Sequence, residues 1–460
     1  MNKNNTSQSA LFSGPNNKPV TMTFDQPASS SDAGAILLGQ IERQHGLIAQ
    51  VSTALGYSRD QNKVRHSLAD LAAQRVFGIA CGYEDGVDAN DLRHDPVQKL
   101  LLNRQPADGA ELASQPTLSR FENSISDRDA VRLNTAVLDW VIARHKKRLG
   151  RKKVKTITID LDSSVDETHG SQQGTLFNGF YGSHCYLPLL GFLQFNNEGE
   201  QFVFAGMLRP GNTDSRQGAV SILRRSLPKL RTAFPKARIL VRLDGGFASP
   251  RVFDYLDNQQ DVDFVAGIAS NKVLAGMAEE LMEKSRTASA DSGNSEKHYG
   301  SSTYKAGTWS KSRRVVIKAE VTRYQQRDPR DNARFLITNL EQNPQEIYER
   351  VYALRGDVEN RIKELKAGLN SDRTSCTKFI ANQVRLTVAI LAFILYQELR
   401  LAAAGTRLEK AQVSTLRYRI IKLGAWIRQT TRGIRIHLPE SAPYKNEWLR
   451  IFNAINPTPT

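Results

Sequence analysis

Residues 154–162 read Val-Lys-Thr-Ile-Thr-Ile-Asp-Leu-Asp, a run rich in β-branched residues. This alternation predicts a β-strand, because successive strand side chains point to opposite faces of a sheet. Asp160 and Asp162 then share one face, and the intervening apolar residues pack behind it. A carboxylate pair on a central strand is costly unless cations neutralise it, and Mg²⁺ prefers carboxylate oxygens. The strand therefore predicts a metal site, with a strand end in water as the alternative.

The residues that follow alternate between strand-like and helix-like patterns. Strands are predicted at 187–195, 201–208, 238–243 and 262–268, and helices at 215–233 and 250–257. Strands interleaved with helices indicate an α/β domain with a mixed sheet. Residues 271–340 predict a β-rich insertion, because a serine- and glycine-rich segment precedes two alternating runs.

The flanking segments differ from this core in composition and period. Residues 1–34 are rich in Asn, Ser, Pro and Thr, which predicts a disordered tail. Residues 35–150 have helical spacing and predict a helical domain. The predicted core occupies 151–270 and resumes at 341–402, and a helical, basic C-terminal region follows at 403–460.

The charge balance indicates a polyanionic partner. The chain has 63 Lys and Arg against 47 Asp and Glu, a formal net charge of +16. Nucleic acid is the commonest partner of such a surface; an anionic membrane or simple solubility are alternatives. Basic residues concentrate near the C-terminus at Arg407, Lys410, Arg417, Arg419, Lys422, Arg428, Arg432 and Arg435. This segment predicts a surface that binds the DNA backbone, with a solvated basic face as the alternative.

One segment of the helical domain has a second pattern typical of DNA binding. Residues 112–122 read Leu-Ala-Ser-Gln-Pro-Thr-Leu-Ser-Arg-Phe-Glu. A short helix, a turn and a second helix opened by Ser, Thr and Arg would fit a major groove, so 35–150 is interpreted as a helical DNA-binding domain. An ordinary capped helix with Pro116 near its start is the alternative.

Several classes of protein are disfavoured. The three cysteines are far apart and predict neither a disulfide framework nor a zinc site. No Gly-Lys pair exists, so no Walker motif and no nucleotide cofactor are expected. The longest apolar run, 388–396, is too short for a bilayer and predicts a core helix, with no membrane as partner. We expect a cytoplasmic protein.

A second candidate carboxylate follows the predicted strand at 238–243. Residues 239–248 read Ile-Leu-Val-Arg-Leu-Asp-Gly-Gly-Phe-Ala, so the strand runs directly into Asp244. Functional groups of α/β sheets lie at the carboxyl ends of strands. Gly245 and Gly246 would let a bulky ligand approach the backbone. A tight Asp-Gly-Gly turn is the alternative.

The third candidate lies on a predicted helix after Pro344. At 100° per residue, Tyr352, Arg355, Glu359 and Lys366 fall within roughly a 60° sector. A carboxylate on this stripe can complete a metal site, and the neighbouring cations can bind phosphates. Simple surface ion pairs between Arg and Glu are the alternative.

These residues resemble a known family. Tyr352, Arg355, Glu359 and Lys366 have the Tyr-x₂-Arg-x₃-Glu-x₆-Lys spacing of the bacterial insertion-sequence DDE transposases of the IS-four-like group. The IS-thirteen-eighty-type branch is most similar, through Asp-Leu-Asp-Ser-Ser at 160–164, Thr-His-Gly-Ser-Gln-Gln-Gly at 168–174 and Arg-Leu-Asp-Gly-Gly-Phe at 242–247. The resemblance runs from about 154 to 399. Ser164 departs from it, since the family more often has Thr there.

The resemblance implies an RNase H-like core with the first Asp on the first strand, the second after the fourth strand and the Glu on a later helix. It makes Asp162, Asp244 and Glu359 the catalytic residues and the ligands of two Mg²⁺ ions, for which Mn²⁺ can substitute. The implied reaction cleaves the ends of the element and joins them to target DNA. The implied partners are double-stranded DNA, at the terminal inverted repeats and the target, and a second copy of the chain. A bacterial, nucleoid-associated location is also implied.

The resemblance also implies residues that bind DNA. Those selected are Tyr352, Arg355, Lys366, Trp309, Arg313 and Arg314. The first three would grip phosphates near the cleaved bond. Trp309, in a basic stretch, would hold a flipped base if a hairpin intermediate forms.

Two other functions remain open at this stage. A DNA-binding descendant of a transposase that no longer cuts would keep the same fold. A glycosidase would also use paired carboxylates. The basic charge and the cations beside Glu359 favour a phosphodiester substrate over a sugar.

Overall fold

The computed structural model describes residues 10–56, 64–150, 152–324 and 327–456. The strands are β1 (Ala10–Ser13), β2 (Pro19–Met22), β3 (Ser29–Ser30), β4 (Thr156–Ser163), β5 (Asp166–Glu167), β6 (Leu176–Asn178), β7 (Ser183–Tyr186), β8 (Leu189–Phe195), β9 (Phe202–Met207), β10 (Arg238–Leu243), β11 (Val262–Ile268), β12 (Glu296–Tyr304), β13 (Arg313–Thr322), β14 (Arg330–Thr338), β15 (Ala425–Thr430) and β16 (Gly433–His437). The helices are α1 (Ile36–His45), α2 (Leu47–Ser52), α3 (Leu68–Cys81), α4 (Asp88–Leu92), α5 (Pro96–Leu101), α6 (Gln115–Ser124), α7 (Asp127–Leu149), α8 (Ala219–Ala233), α9 (Pro250–Asp257), α10 (Lys272–Ser292), α11 (Pro344–Glu346), α12 (Gly356–Leu369), α13 (Phe379–Ala402), α14 (Val413–Leu416) and α15 (Lys445–Ile455).

An eight-stranded mixed sheet organises the protein. Its order is β12-β13-β14-β11-β10-β4-β8-β9, and β4, β10 and β11 are parallel to one another. These three strands are buried almost throughout, as expected of parallel strands covered on both faces. The predicted strands at 238–243 and 262–268 are confirmed with the same bounds. The mixed α/β class is therefore confirmed.

The predicted insertion extends this sheet at one edge. Strand β14 pairs with β11, and β13 and β12 follow outward. The segment also contains the long helix α10, which the prediction of a β-rich insertion does not include. The serines fit a helix because Ser285 and Ser289 are buried and hydrogen-bonded, with Ser285 Oγ donating to Ala319 O at 3.0 Å.

The N-terminal helices and α13 share one hydrophobic core. The described residues between 36 and 149 form helices α1 to α7 and contain no strand. Helix α3 packs on α13, and the Tyr396 hydroxyl of α13 donates to Ala80 O at 2.7 Å. Helix α13 is long and apolar enough to cross a membrane, but residues 388–396 are all buried inside the protein, which confirms the predicted core helix.

Both ends of the described chain differ from expectation. We predicted a disordered tail over 1–34, but β1 pairs with β2, and β3 pairs with β15 near the opposite end of the chain. These strands are held by hydrogen bonds between backbone N–H and C=O groups. The prediction of disorder used side-chain composition, which does not indicate such bonds. The C-terminal region is also not purely helical, because β15 and β16 form an antiparallel hairpin. Residues 1–9 and 457–460 lie outside the described residues.

The segment 112–122 forms one helix rather than two. Helix α6 begins at Gln115, with Ser114 at its N-cap position and Pro116 in its first turn, and residues 110–114 are not helical. The alternative of one helix with Pro116 near its start is therefore confirmed, although no side-chain hydrogen bond caps this helix, and the two-helix version within this segment is wrong. A proline near a helix start loses no helical hydrogen bond, which explains the boundary.

Candidate active site

Asp162 lies near the carboxyl end of β4 and is only 7% exposed. The backbone N–H of Ser163 donates to Asp162 Oδ1 at 2.9 Å, which fixes the carboxylate at the sheet edge. Asp160, two residues earlier, is fully buried and receives two 2.7 Å hydrogen bonds from the Arg242 guanidinium. Asp160 is thus neutralised within the fold, whereas Asp162 is left for another cation.

Arg242 connects the two central strands to the helical segment that follows the insertion. It lies on β10 in register with Asp160 of β4, and its Nη1 donates to Val351 O at 3.1 Å. This contact places the residues after Val351 across the carboxyl ends of β4 and β10. The buried ion pair therefore positions the third candidate stretch.

Asp244 follows β10 and caps a short turn. Its Oδ1 accepts the Gly246 N–H at 2.9 Å, and Ser215 Oγ donates to Gly246 O at 2.6 Å. The backbone here is tightly packed, since a Cβ on Gly267 of β11 would lie 3.0 Å from Gly245 N. The tight Asp-Gly-Gly turn is present, and it holds the Asp244 carboxylate beside the end of β4.

The helical segment 344–369 is not one regular α-helix. Residues Ile347–Tyr352 form a π-helical turn and Ala353–Arg355 a 3₁₀ turn before α12 begins. The predicted single stripe of a regular α-helix is therefore wrong in detail. Irregular turns of this kind often occur at functional sites, because they redirect side chains. Here they place Arg355 inward while Glu359, in the first turn of α12, remains 57% exposed at its side chain.

Arg355 brings the three predicted carboxylates together. Its Nη2 lies 2.7 Å from Asp162 Oδ1 and 3.4 Å from Asp244 Oδ2, and its Nη1 lies 3.6 Å from Glu359 Oε1. The guanidinium is largely buried, and its Nε has no hydrogen-bond partner. Three acidic residues from separate stretches thus converge on one cation at the carboxyl edge of the sheet.

The electrostatics of this cluster favour more positive charge than Arg355 alone supplies. The pKa of Asp162 is raised to about 7, mainly by burial; Arg355 lowers this pKa, and the carboxylates of Asp244 and Glu359 raise it. A carboxyl group that loses its proton only near neutral pH lacks a sufficient counter-charge.

The donor set suits a hard divalent cation, since carboxylate oxygens are the ligands that Mg²⁺ prefers. In the described part of the chain, no three Asp, Glu, His or Cys side chains already stand in a metal-ligating arrangement. At this cluster the guanidinium lies between the carboxylates. The three carboxylates therefore fit a divalent metal ion once the Arg355 guanidinium has moved out from between them.

Two other predicted DNA-binding residues lie near the cluster. The Tyr352 hydroxyl would lie 2.7 Å from a Cβ placed on Gly267, so it reaches the edge where Asp244 stands. Lys366 Nζ donates to Val165 O at 2.5 Å, just beyond β4, and pairs with Asp166 at 3.7 Å. Both residues therefore border the carboxyl end of β4 or β10.

The remaining three predicted DNA-binding residues are not brought to the cluster. Trp309 is 6% exposed and packs edge-on against Phe253, with ring centroids 5.3 Å apart. Arg313 is buried and pairs with Asp254 at 2.6 Å. Arg314 Nη1 donates to Leu340 O at 2.5 Å. In this arrangement Trp309 and Arg313 are buried among core residues, and Arg314 braces the loop after β14.

Sequence reasoning missed Arg209 as a neighbour of the cluster. Its Nη2 donates to Ser163 Oγ at 2.8 Å and its Nε to Leu187 O at 2.7 Å, so it braces the end of β4. Nothing local distinguishes this arginine from the other basic residues of the chain. The pairing of β8 with both β4 and β9 brings it there.

One family of enzymes matches almost the whole chain. Residues 12–460 match the family described as Transposase DDE domain group 1, and the chain belongs to this family. It is therefore a DNA transposase of the DDE class, an enzyme class that generally uses divalent metal ions.

Other comparisons add little to the family match. No curated protein matches the chain. One similar solved structure is the piggyBac transposase synaptic complex with hairpin DNA, at 11% identity over 85% of this chain and 79% of that chain, with a TM-score of 0.41. A likeness at this level supports no conclusion about this chain.

Proposed function

We propose that this transposase cleaves the ends of its own insertion sequence and joins them to target DNA, using Asp162, Asp244 and Glu359 as metal ligands. The observation that carries the proposal is their convergence on Arg355, at 2.7, 3.4 and 3.6 Å. Three predicted carboxylates from stretches far apart in sequence would not meet around one cation by local structure alone. The IS-four-like group, and its IS-thirteen-eighty-type branch, are the proposed relatives.

An RNase H-like core is the proposed fold of the catalytic part. Its support is the order β9-β8-β4-β10-β11 within the large sheet, with the short strands β5 to β7 in a separate sheet. Counted in this way, Asp162 lies on the first core strand, Asp244 follows the fourth, and Glu359 lies on a later helix. This is the placement that the resemblance implies.

The three carboxylates differ in how firmly the fold holds their positions. Divalent ions bound there would activate an attacking oxygen and stabilise the leaving oxygen of an in-line displacement. Asp162 is fixed by burial and Asp244 by its turn, whereas Glu359 is the most exposed of the three. Glu359 can therefore adjust its position while the two aspartates keep theirs.

Arg355, Tyr352 and Lys366 are proposed to bind phosphates around the cut. When the carboxylates gain other counter-charges, the planar guanidinium of Arg355 is free to form two parallel hydrogen bonds to a phosphate. Lys366 already points its ammonium group at the residues that follow β4. Arg355 would then leave the carboxylates and bind a phosphate of the DNA in the same step.

The wider DNA surface is proposed to include the β15–β16 hairpin. Arg428 and Arg435 are exposed and directly opposite each other across the two strands. Like charges in this position repel unless an anion binds between them. Two element ends must be held together, so we propose a dimer in the DNA complex, acting in the bacterial cytoplasm at the nucleoid.

Cleavage of DNA that carries the terminal repeat of the element tests the proposal. With Mg²⁺ or Mn²⁺ we expect cuts at the repeat end, lost in Glu359→Gln while DNA binding survives. Asp357→Asn, an exposed neighbour on α12, is the matched control and should retain cleavage. Binding without cleavage by the wild type would instead favour a DNA-binding descendant that no longer cuts. That alternative has one observation in its favour, since Arg355 stands between the carboxylates.

A further inference from the structure

The two aspartates of the acidic cluster lie beyond the backbone pairing between their strands. The ladder between β4 and β10 ends at the pair Leu161 and Leu243. Each of these leucines directly precedes an aspartate. Asp162 is still paired to β8 on its other side, whereas Asp244 opens a turn that follows the sheet. The β4–β10 ladder therefore does not by itself set the distance between the two carboxylates.

Hydrogen bonds through Arg209 lead from the first aspartate to the loop between β9 and α8. The Ser163 N–H donates to Asp162 Oδ1 at 2.9 Å, and Arg209 Nη2 donates to Ser163 Oγ at 2.8 Å. Arg209 Nη1 donates in turn to Ser215 O at 2.9 Å. One guanidinium thus contacts both the end of β4 and the loop that contains Ser215.

Ser215 continues this connection to the second aspartate. Its hydroxyl donates to Gly246 O at 2.6 Å, and the Gly246 N–H donates to Asp244 Oδ1 at 2.9 Å. An unbroken series of hydrogen bonds therefore joins the two carboxylates, and we call it the Arg209–Ser215 connection. It does not include Arg355, so it persists when that guanidinium moves out from between the carboxylates.

Arg209 is placed to hold the fold together and not to contact DNA. The residue is only 3% exposed. Its Nε donates to Leu187 O at 2.7 Å, and its Nη1 donates also to Gln217 O at 2.8 Å. Its hydrogen bonds within the described chain go to carbonyl groups and one hydroxyl, not to a carboxylate. The rigid, planar set of donors fixes several segments in one geometry and is not presented to a phosphate.

We propose that Arg209 and Ser215 are positioning residues that set the spacing of the Asp162 and Asp244 carboxylates. The inference rests on the proposed function, since it takes these carboxylates as metal ligands. Mg²⁺ requires near-ideal octahedral geometry, whereas Ca²⁺ accepts longer and more variable distances to oxygen. A fixed spacing therefore favours Mg²⁺, and a looser spacing should weaken the binding of Mg²⁺ more than that of Ca²⁺.

Metal binding by variants of Ser215 tests this role without cleavage. Mn²⁺ bound to the protein is measured by electron paramagnetic resonance while Mg²⁺ or Ca²⁺ displaces it. We expect Ser215→Ala to weaken Mg²⁺ binding roughly tenfold and Ca²⁺ binding by less, because outer residues that orient metal ligands typically contribute this much. Ser215→Thr, which keeps the hydroxyl, should keep the wild-type ratio of the two affinities.

Matched controls remove similar hydrogen bonds far from the cluster. Ser124→Ala loses a hydroxyl that donates to a carbonyl of α6, and Arg231→Lys loses a guanidinium that donates to carbonyl groups before β10 and β11. Both should bind the two metals as the wild type does, whereas Arg209→Lys should shift the ratio as Ser215→Ala does. A ratio that is unchanged in the Arg209 and Ser215 variants, or changed equally in the controls, would overturn the proposal.

A second readout needs neither metal nor cleavage. In chelator, we expect hydrogen exchange in the turn 245–248 to be faster in Ser215→Ala than in the wild type, because the turn has lost its link to Arg209. Unchanged exchange would also overturn the proposal. If the wild type binds metal and the variants show both effects, but the wild type does not cleave DNA carrying the terminal repeat, the proposed function fails and the positioning role stands.

Discussion

Arg355 is the cation that holds the three carboxylates of the acidic cluster together. Its guanidinium partly compensates the buried carboxylate of Asp162 and lies near Asp244 and Glu359. We expect Arg355→Gln to lower the free energy of unfolding in chelator by about 3 kcal/mol, because a buried charge loses its partner. Mg²⁺ should then raise the melting temperature of the variant more than that of the wild type. Arg350→Gln, an exposed arginine of the same segment, is the control, and equal Mg²⁺ effects in all three proteins would contradict this role.

Asp162 should make the free energy of unfolding of the metal-free protein depend on pH. Its pKa is raised to about 7 in the folded state by burial, whereas an unfolded aspartate titrates at about 3.9. Between these values the folded protein holds a proton that the unfolded chain has released, so the free energy of unfolding should fall as pH rises to about 7. Denaturant titrations at several pH values measure this slope. Asp162→Asn should reduce the slope without abolishing it, because burial also raises the pKa of Asp166 to about 7. An unchanged slope in the variant would show that Asp162 does not contribute.

Single residues were predictable where the surrounding pattern defined their position. Asp162 lies near the end of one predicted strand and Asp244 directly follows another, so their meeting at one sheet edge could be expected. Arg355 as the cation shared by all three carboxylates could not, because it depends on irregular turns that a 100° periodicity does not detect. Trp309 was chosen for the basic residues around it, but the strand that carries Arg313 turns that arginine toward Asp254.

At the scale of elements, buried strands were predicted better than exposed ones. Strands β10 and β11 are mostly apolar, and their bounds were found from the sequence alone. The short strands β5 to β7 and the exposed hairpins pair through backbone groups, which side-chain patterns represent poorly. Helix α10 was missed because its serines face the core and not a loop.

The packing of β9 against α13 offers a test of the elements. A Cβ on Gly206 would overlap Ile390 Cδ1, so the glycine allows this close approach. We expect Gly206→Ala to lower the free energy of unfolding by about 1–3 kcal/mol through overpacking. Ile390→Val alone should cost about 0.5–1.5 kcal/mol, yet it removes the clashing methyl group. The double variant should therefore lose less than the sum of the two, as measured by denaturant titration; additive losses would show that the two residues do not meet.

At the scale of the whole molecule, one core joins segments that the sequence separates. The predicted boundaries at 150, 270, 340 and 402 remain predictions. The main hydrophobic cluster nevertheless includes residues from Ala33 to Ile455. Composition and periodicity describe each segment by itself, so they cannot show that α3 packs on α13 or that β3 pairs with β15.

The net positive charge of the molecule predicts a salt-dependent affinity for DNA. If Arg428 and Arg435 contact phosphates, replacing both by alanine should reduce the slope of log affinity against log salt by about 0.9 per contact. Fluorescence anisotropy with DNA at several salt concentrations measures that slope. Lys272→Ala with Lys284→Ala, two exposed lysines on α10, controls for the loss of charge alone. An equal change in both double variants would mean that the β15–β16 hairpin is not a specific DNA surface.

The most direct test of the central claim is the single-turnover rate of DNA cleavage in four variants. These are Asp162→Asn, Asp244→Asn, Glu359→Gln and the triple variant, each with DNA affinity measured in parallel. If the three carboxylates act as one metal-binding unit, each single change should reduce the rate about as far as the triple change does. Losses that instead add up across the three sites, or a single variant that cleaves at the wild-type rate, would contradict a shared catalytic centre around Arg355.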